Sequence, residues 1–414
     1  MSTHLADIPS LSPRQPSNGA QAAAAEHRRY RRMMGALLAA GVAAFAQLYA
    51  IQGVLPGLAR ELGIAPSSAA LTVSAATSGL AVGVLLWAAV ADRLGRLTSM
   101  RIAVSGSVLL GLATAAAPGL GSLLGIRFLM GLVVGGVPVL AVAYVYEQLS
   151  GARAAVAATV YISGTTVGGA LGRLVAGPLG AWIGWRGALL GVGLVSLLSA
   201  AGFLLLAPGE RRTRAGVRPR ERQWSRIRLA LSSWRLLALY LQAFLVTGSF
   251  VAVFNFLTFR LEAAPFLIPP ALAALVFLSY FAGTLSSRLA GRWLTRWGFA
   301  RTSILGLAAM LSGAAVLAVE ELPAIIAGLL LFTAGNFMAH AAAVATVGAS
   351  AGAEFRGQAS ALYNIAYYAG SSLLGWLLGV MFDGAGWRGM TLGIAGALAV
   401  VMVMNVAALN RRGG

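Results

Sequence analysis

The chain has 414 residues, 58% hydrophobic and only 10% charged, where an ordinary soluble domain carries roughly 25% charged residues. That balance excludes a soluble enzyme and a disordered chain, the lack of cysteine excludes a disulfide scaffold, and long unbroken apolar runs argue against an outer-membrane barrel. A net charge of +19 would suggest nucleic acid in a soluble protein, but all 31 basic residues are arginines set between apolar runs, so the charge is read as membrane topology with no nucleic-acid partner.

Residues 1–32 are polar and end in His27, Arg28, Arg29, Arg31 and Arg32, which predicts a disordered cytoplasmic tail able to touch anionic lipid. No short apolar region with a small-residue cleavage site precedes the first apolar run, so no cleaved signal peptide is expected. Twelve transmembrane helices follow, at about 33–56, 68–91, 99–118, 121–146, 155–181, 187–207, 235–258, 270–291, 301–319, 323–349, 357–381 and 388–409. The long basic connector splits them six and six. The expected division is therefore a first bundle over 33–207, a linker over 208–234, a second bundle over 235–409 and a tail over 410–414. The linker carries Arg211, Arg212, Arg214, Arg218, Arg220, Arg222, Arg226 and Arg228.

With the N-terminus in the cytoplasm, 24 arginines fall on cytoplasmic segments and four, Arg60, Arg186, Arg260 and Arg388, on external ones. This is a strong positive-inside signal and puts both termini of a multi-pass protein in the cytoplasm. The two halves also align at an offset of 202 to 203. Tyr161 meets Tyr363, Gly168 meets Gly370, and the GWRG at 184–187 meets GWRG at 386–389. A parallel repeat of this kind sets a pseudo-two-fold axis along the membrane normal, with a cavity between two pseudo-symmetric bundles.

Taken along the chain, the residues that can carry chemistry begin with Gln47 and Gln52 in span one. At the end of span two, Asp92-Arg93-Leu94-Gly95-Arg96 offers a carboxylate that can face a helix N-terminus in the other half and latch the halves on the cytoplasmic side. Arg96 is placed to pair with Glu147 at the end of span four. Arg127 and Arg173 lie inside spans four and five, where a guanidinium costs at least about 2.5 kcal/mol and must face a cavity or a buried partner. Both are expected about 10 Å below the outer surface, counting 1.5 Å per residue, which suggests one polar cluster facing substrate. The alternative for Arg127 is a brace on backbone carbonyls. Asn255, Asn336, His340, Asn364 and Tyr367 are the further polar candidates. His340 is the only imidazole in a span and could carry a proton. No span centre holds Asp or Glu, which leaves the usual proton carrier missing. Span five, with Gly164, Gly168, Gly172, Gly177 and Pro178, has the small-residue spacing of close helix packing.

These motifs resemble the major facilitator superfamily. The loop between spans two and three matches its signature through Asp92, Arg93, Gly95 and Arg96, with Ala88 in place of the first Gly and Leu97 in place of a second basic residue. The second half keeps Arg296 and Gly298 but has Thr295 in place of the acid, so a one-sided latch is expected. Arg127 and Gly131 match the span-four motif, and Gly168, Gly172, Gly177 and Pro178 resemble the Gly-Pro motif of the antiporter branch. The text of span five is most similar to the bacterial YnfM-type family of efflux proteins. The resemblance implies an all-α integral membrane fold and a secondary active transporter of the bacterial inner (plasma) membrane, working by alternating access as a proton-coupled exporter of drug-like or anionic compounds. Sugar or metabolite uniport or symport stands as the alternative. A membrane-embedded transferase is the competing class, and it would need clustered His or carboxylates that the chain lacks. No cofactor, metal or catalytic residue is expected. The partners are a small-molecule substrate, protons and the bilayer, and the chain is expected to act as a monomer.

Overall fold

The computed structural model describes residues 18–210, 220–352 and 355–410. Among these, nine helices are long and apolar enough to cross a membrane. Three of the nine are each bent into two segments at a single glycine in the left-handed region: Gly184 (φ 72°), Gly298 (φ 78°) and Gly386 (φ 65°). A side chain at such a φ is strained, so glycine makes the reversal without a loop. The segments number twelve, as expected. They are α1 (Ala24–Leu62), α2 (Pro66–Leu94), α3 (Arg96–Thr114), α4 (Leu120–Gln148), α5 (151–182), α6 (185–206), α7 (Trp234–Glu262), α8 (270–297), α9 (299–316), α10 (Leu322–Ser350), α11 (356–385) and α12 (387–410). A further helix, Arg220–Ser232, lies in the linker.

The repeat is visible in the backbone. Gly95 (φ 83°) and Gly298 make equivalent turns 203 residues apart, and Gly184 and Gly386 do so 202 apart. One expectation needs correction. The sequence predicts an unordered tail through residue 32, but residues 18–32 are helical and run into α1. The alanine-rich stretch favours helix. Arg29 then donates to Gln148 Oε1 (2.8 Å) and the Gly209 carbonyl (2.6 Å), and Arg32 donates to the Leu205 carbonyl (2.8 Å). Residues 1–17, linker arginines 211–218 and residues 411–414 lie outside the described residues.

The core has three parts. One apolar cluster joins both bundles near the face remote from the termini, with Ile51, Leu55 and Trp185 from the first and Phe254, Phe277 and Trp387 from the second. Toward the opposite, basic face, each bundle has its own buried cluster, around Leu37, Tyr144 and Phe203 in one and Leu236, Val347 and Tyr363 in the other. The bundles are therefore sealed together at the far face. Within the first bundle, α1 and α5 approach at backbone distance. A methyl group at Gly168 would sit 2.7 Å from Val42 Cα, and one at Gly172 would overlap the Ala46 carbonyl. Overpacking typically costs about 1–3 kcal/mol, and more where the obstacle is backbone. Gly172→Val is thus expected to lower the thermal unfolding temperature of the detergent-solubilised protein by several degrees or to prevent its purification. An unchanged transition would show that this seam does not hold the bundle.

Candidate functional site

The two buried span arginines do different things. Arg127 of α4 is 1% exposed. Its guanidinium donates to the carbonyls of Thr72 (3.1 Å), Gln47 (3.1 Å) and Leu48 (2.6 Å), tying α4 to α1 and α2. This is the bracing role, and it corrects the expectation that Arg127 and Arg173 share one cavity cluster. Carbonyl oxygens take up Arg127's Nε and both of its terminal nitrogens. Gln47, another cavity candidate, is also turned inward. It is 2% exposed, its Nε2 has no partner, and it packs against Gly111 of α3 and Gly193 of α6.

Arg173 of α5 lies between the bundles. Its Nε donates to Gln52 Oε1 (2.7 Å) and its Nη1 to the Gly169 carbonyl (2.9 Å). The guanidinium carbon sits 4.1 Å from the ring centre of Tyr49, 4.9 Å from Tyr280 and 5.3 Å from Phe277. Gln52 in turn donates from Nε2 to Asn255 Oδ1 of α7 (2.6 Å), so the chain of contacts crosses from one bundle to the other. The Asn255 amide nitrogen is buried without a partner. None of the described carboxylates pairs with Arg173. Aromatic faces attract a cation, by about 2 kcal/mol or more when desolvated, but they do not neutralise it. The result is a buried, uncompensated positive charge in a cage of rings.

Around this cage the second bundle packs Phe250, Phe254 and Phe337 ring to ring with Tyr280, and Phe332 against Phe250. Toward the basic face, His340 Nδ1 shares a hydrogen bond with the Tyr363 hydroxyl (2.9 Å), and its ring lies 4.9 Å from Tyr367, which stands edge-on to Tyr368. Asn336 is buried on α10 and Asn364 is exposed on α11. No hydrogen bond among the described residues ties either to Arg173.

The loop between α2 and α3 is the second correction. The Arg96–Glu147 pair forms at 3.1 Å, and Arg96 also holds Asp92 at 3.2 Å, both within the first bundle. Asp92 is 64% exposed and Arg93 is exposed. No hydrogen bond or ion pair among the described residues ties them to the second bundle, so the contact between halves expected of Asp92 is not made in this conformer. The closed contacts lie at the far face. Arg60 pairs with Glu262 (2.7 Å), Asp383 accepts from the Ser67 amide at the start of α2 (3.3 Å to each oxygen), and Ser74 donates to the Ser372 carbonyl (2.8 Å). Of the span-five motif, Gly168 and Gly172 face α1, Pro178 lies inside α5, and Gly177 faces Ala274 of α8 across the bundle boundary.

Sequence reading missed the far-face pairs, although a signal for them exists. Arg60 and Glu262 are 202 residues apart, and Gln52 and Asn255 are 203 apart. Those separations are the repeat offset. A residue near a pseudo-two-fold axis meets its own counterpart, so complementary side chains at that spacing mark the axis.

Comparison with known proteins agrees with this architecture. The Major Facilitator Superfamily model matches residues 37–290. The inner membrane transport protein YnfM of Escherichia coli (strain K12) is 34% identical over 385 residues, 93% of this chain and 92% of that protein. A gallate transporter of Pseudomonas putida is 34% identical over 148 residues, 35% of this chain and 32% of that protein. The crystal structure of the nucleoside transporter NupG superposes with a TM-score of 0.74 at 14% identity, covering 91% of this chain and 98% of that one. A repeat of six helices, glycine-made reversals between segments and a charged loop after the second helix have one shared explanation: this chain belongs to the major facilitator superfamily, a family of multi-pass membrane transporters and not of enzymes.

Proposed function

We propose that this transporter exports a small organic compound bearing an anionic group, by alternating access and in exchange for protons. The single observation that carries the substrate class is Arg173, a cation buried between the bundles with aromatic faces around it and, among the described residues, no carboxylate paired with it. A carboxylate or similar group would complete the charge balance, and an aromatic or apolar body would fit the rings. The gallate transporter among the relatives handles, by its name, such a compound. The positive-inside distribution supports placing the basic face and both termini in the cytoplasm of the inner membrane. On that placement the far face is external and the conformer is open inward. The Gly-Pro motif of α5 supports exchange. The His340–Tyr363 pair supplies a site where a proton can reside without a span-centre acid.

The test is uptake into inside-out vesicles holding the purified protein, with an imposed pH gradient and a panel of gallate, benzoate, chloramphenicol and pentoses. Carboxylates are expected to move, and faster when the gradient is present. Movement that ignores the gradient would end the proton coupling, and transport restricted to the neutral sugars would end the anion reading.

A further inference from the structure

The second bundle holds a cavity of about 490 Å³ whose lining shares no residue with the Arg173 cage. It opens between α7, α9, α10 and α12 toward the basic face, away from the boundary between the bundles. Its walls are apolar, with Leu239, Phe299 and Met404 among them. Trp234 and Val403 stand at its rim, 70% and 67% exposed on the outside of the bundle. Among the described residues, Arg235 is the only charged one in the lining, and it makes no ion pair. At the inner end, Asn405 donates to Gln242 (3.1 Å) and Gln242 to Ser303 (3.0 Å). From Arg235 to Gln242 is seven residues of helix, about 10 Å at 1.5 Å each.

The internal repeat shows that this hollow is not a general feature of the fold. α4 and α10 begin and end 202 residues apart, and the turns before α6 and α12 share that offset. At this spacing Thr346 and Asn405 correspond to Tyr144 and Phe203. In the first bundle those two rings are 1% exposed and fill the space, and the Tyr144 hydroxyl donates to the Pro208 carbonyl (2.6 Å). In the second bundle the smaller polar residues leave it empty. Exchanging two large rings for Thr and Asn in a bilayer-spanning bundle forfeits packing, and the hydrogen bond from Asn405 to Gln242 does not refill the space, so stability does not explain it.

We infer that this cavity is a binding site for an anionic phospholipid of the surrounding bilayer, with an acyl chain inside the bundle and the phosphate on Arg235. The parts are in the order such a lipid needs. A tryptophan sits at the rim, where indole rings favour the headgroup level, and an unpaired guanidinium lies beside it. An apolar shaft leads inward from both. The rim faces outward from the bundle, so the lipid enters sideways. Arginine can hold a phosphate through two parallel hydrogen bonds, which a zwitterionic lipid shields with its own cation.

The full chain, purified in detergent and mixed with phosphatidylglycerol or phosphatidylcholine of identical acyl chains, tests this by native mass spectrometry. The wild type is expected to retain phosphatidylglycerol at least tenfold better than phosphatidylcholine. Arg235→Gln, a change at an exposed position, is expected to erase that preference. The double variant Thr346→Tyr, Asn405→Phe, which copies the first bundle, is expected to lose the adduct. Should the double variant not fold, Arg235→Gln decides alone. Equal retention of both lipids by the wild type, or an undiminished preference in Arg235→Gln, overturns the site. So does displacement of the lipid by an equimolar free fatty acid, which would make a soluble amphiphile the occupant. Adducts that appear only on a chain ending at Asn410 would assign the space to the chain's own end and likewise overturn it.

Discussion

Arg173→Gln is expected to cut substrate affinity about 10- to 100-fold, the equivalent of roughly 1.5–3 kcal/mol for a hydrogen bond to a charged group. The protein should still fold, because the variant removes a buried cation that no carboxylate compensates. A neutral amide can keep the contact with Gln52, so the crossing to Asn255 survives. Arg173→Lys should fall between. It keeps the charge but lacks the planar face that lies against Tyr49 and Tyr280. The measurement is transport in proteoliposomes of whichever solute the vesicle panel selects, with thermal unfolding as the control for folding. Wild-type affinity in the Gln variant would show that Arg173 only braces the bundle boundary, as Arg127 braces α1, α2 and α4.

The second large effect is conformational. Gly177 of α5 lies against Ala274 of α8, and a methyl group at Gly177 would overlap the Ala274 methyl. Unlike Gly172, whose neighbour is α1 of its own bundle, Gly177 touches the opposite bundle. Gly177→Leu is therefore expected to wedge the far face open and leave each bundle intact. An overpacking cost of about 1–3 kcal/mol is enough to move a two-state equilibrium roughly 5- to 150-fold. The chain has no cysteine, so spin labels at Ala116→Cys and Ala263→Cys, exposed far-face positions in the first and second bundles, report the opening directly. Their distance distribution should lengthen and transport should fall, with Gly177→Ala showing a smaller change. An unaltered distribution with full transport would mean that the two bundles do not close on each other at this point.

Both expectations turn on which bundle a residue touches, and the sequence leaves that open. The apolar runs, their arginine-rich connectors and the repeated GWRG were legible, because bilayer thickness fixes helix length and a duplication copies local text. The Arg96–Glu147 pair was legible too, since both residues sit at helix ends on one face. The state of the Asp92 latch was not. Whether a loop carboxylate meets the other bundle depends on the conformer, and one sequence serves every conformer of a rocking protein.

By itself the amino-acid order determined the membrane class, the twelve segments, the two related halves and the short set of charged and amide groups from which a site could be built. Only the tertiary structure decided how those groups divide. It gave Arg127 to backbone carbonyls, Arg173 to a ring-lined space between the bundles, and the closing contacts to Arg60, Glu262, Ser67 and Asp383 at the far face. The physical reason is that burial in lipid favours pairing of polar groups, while the choice of partner belongs to helix rotation and tilt. Those are set by packing at sites such as Gly168 and Gly172, hundreds of residues away from some of the contacts they align.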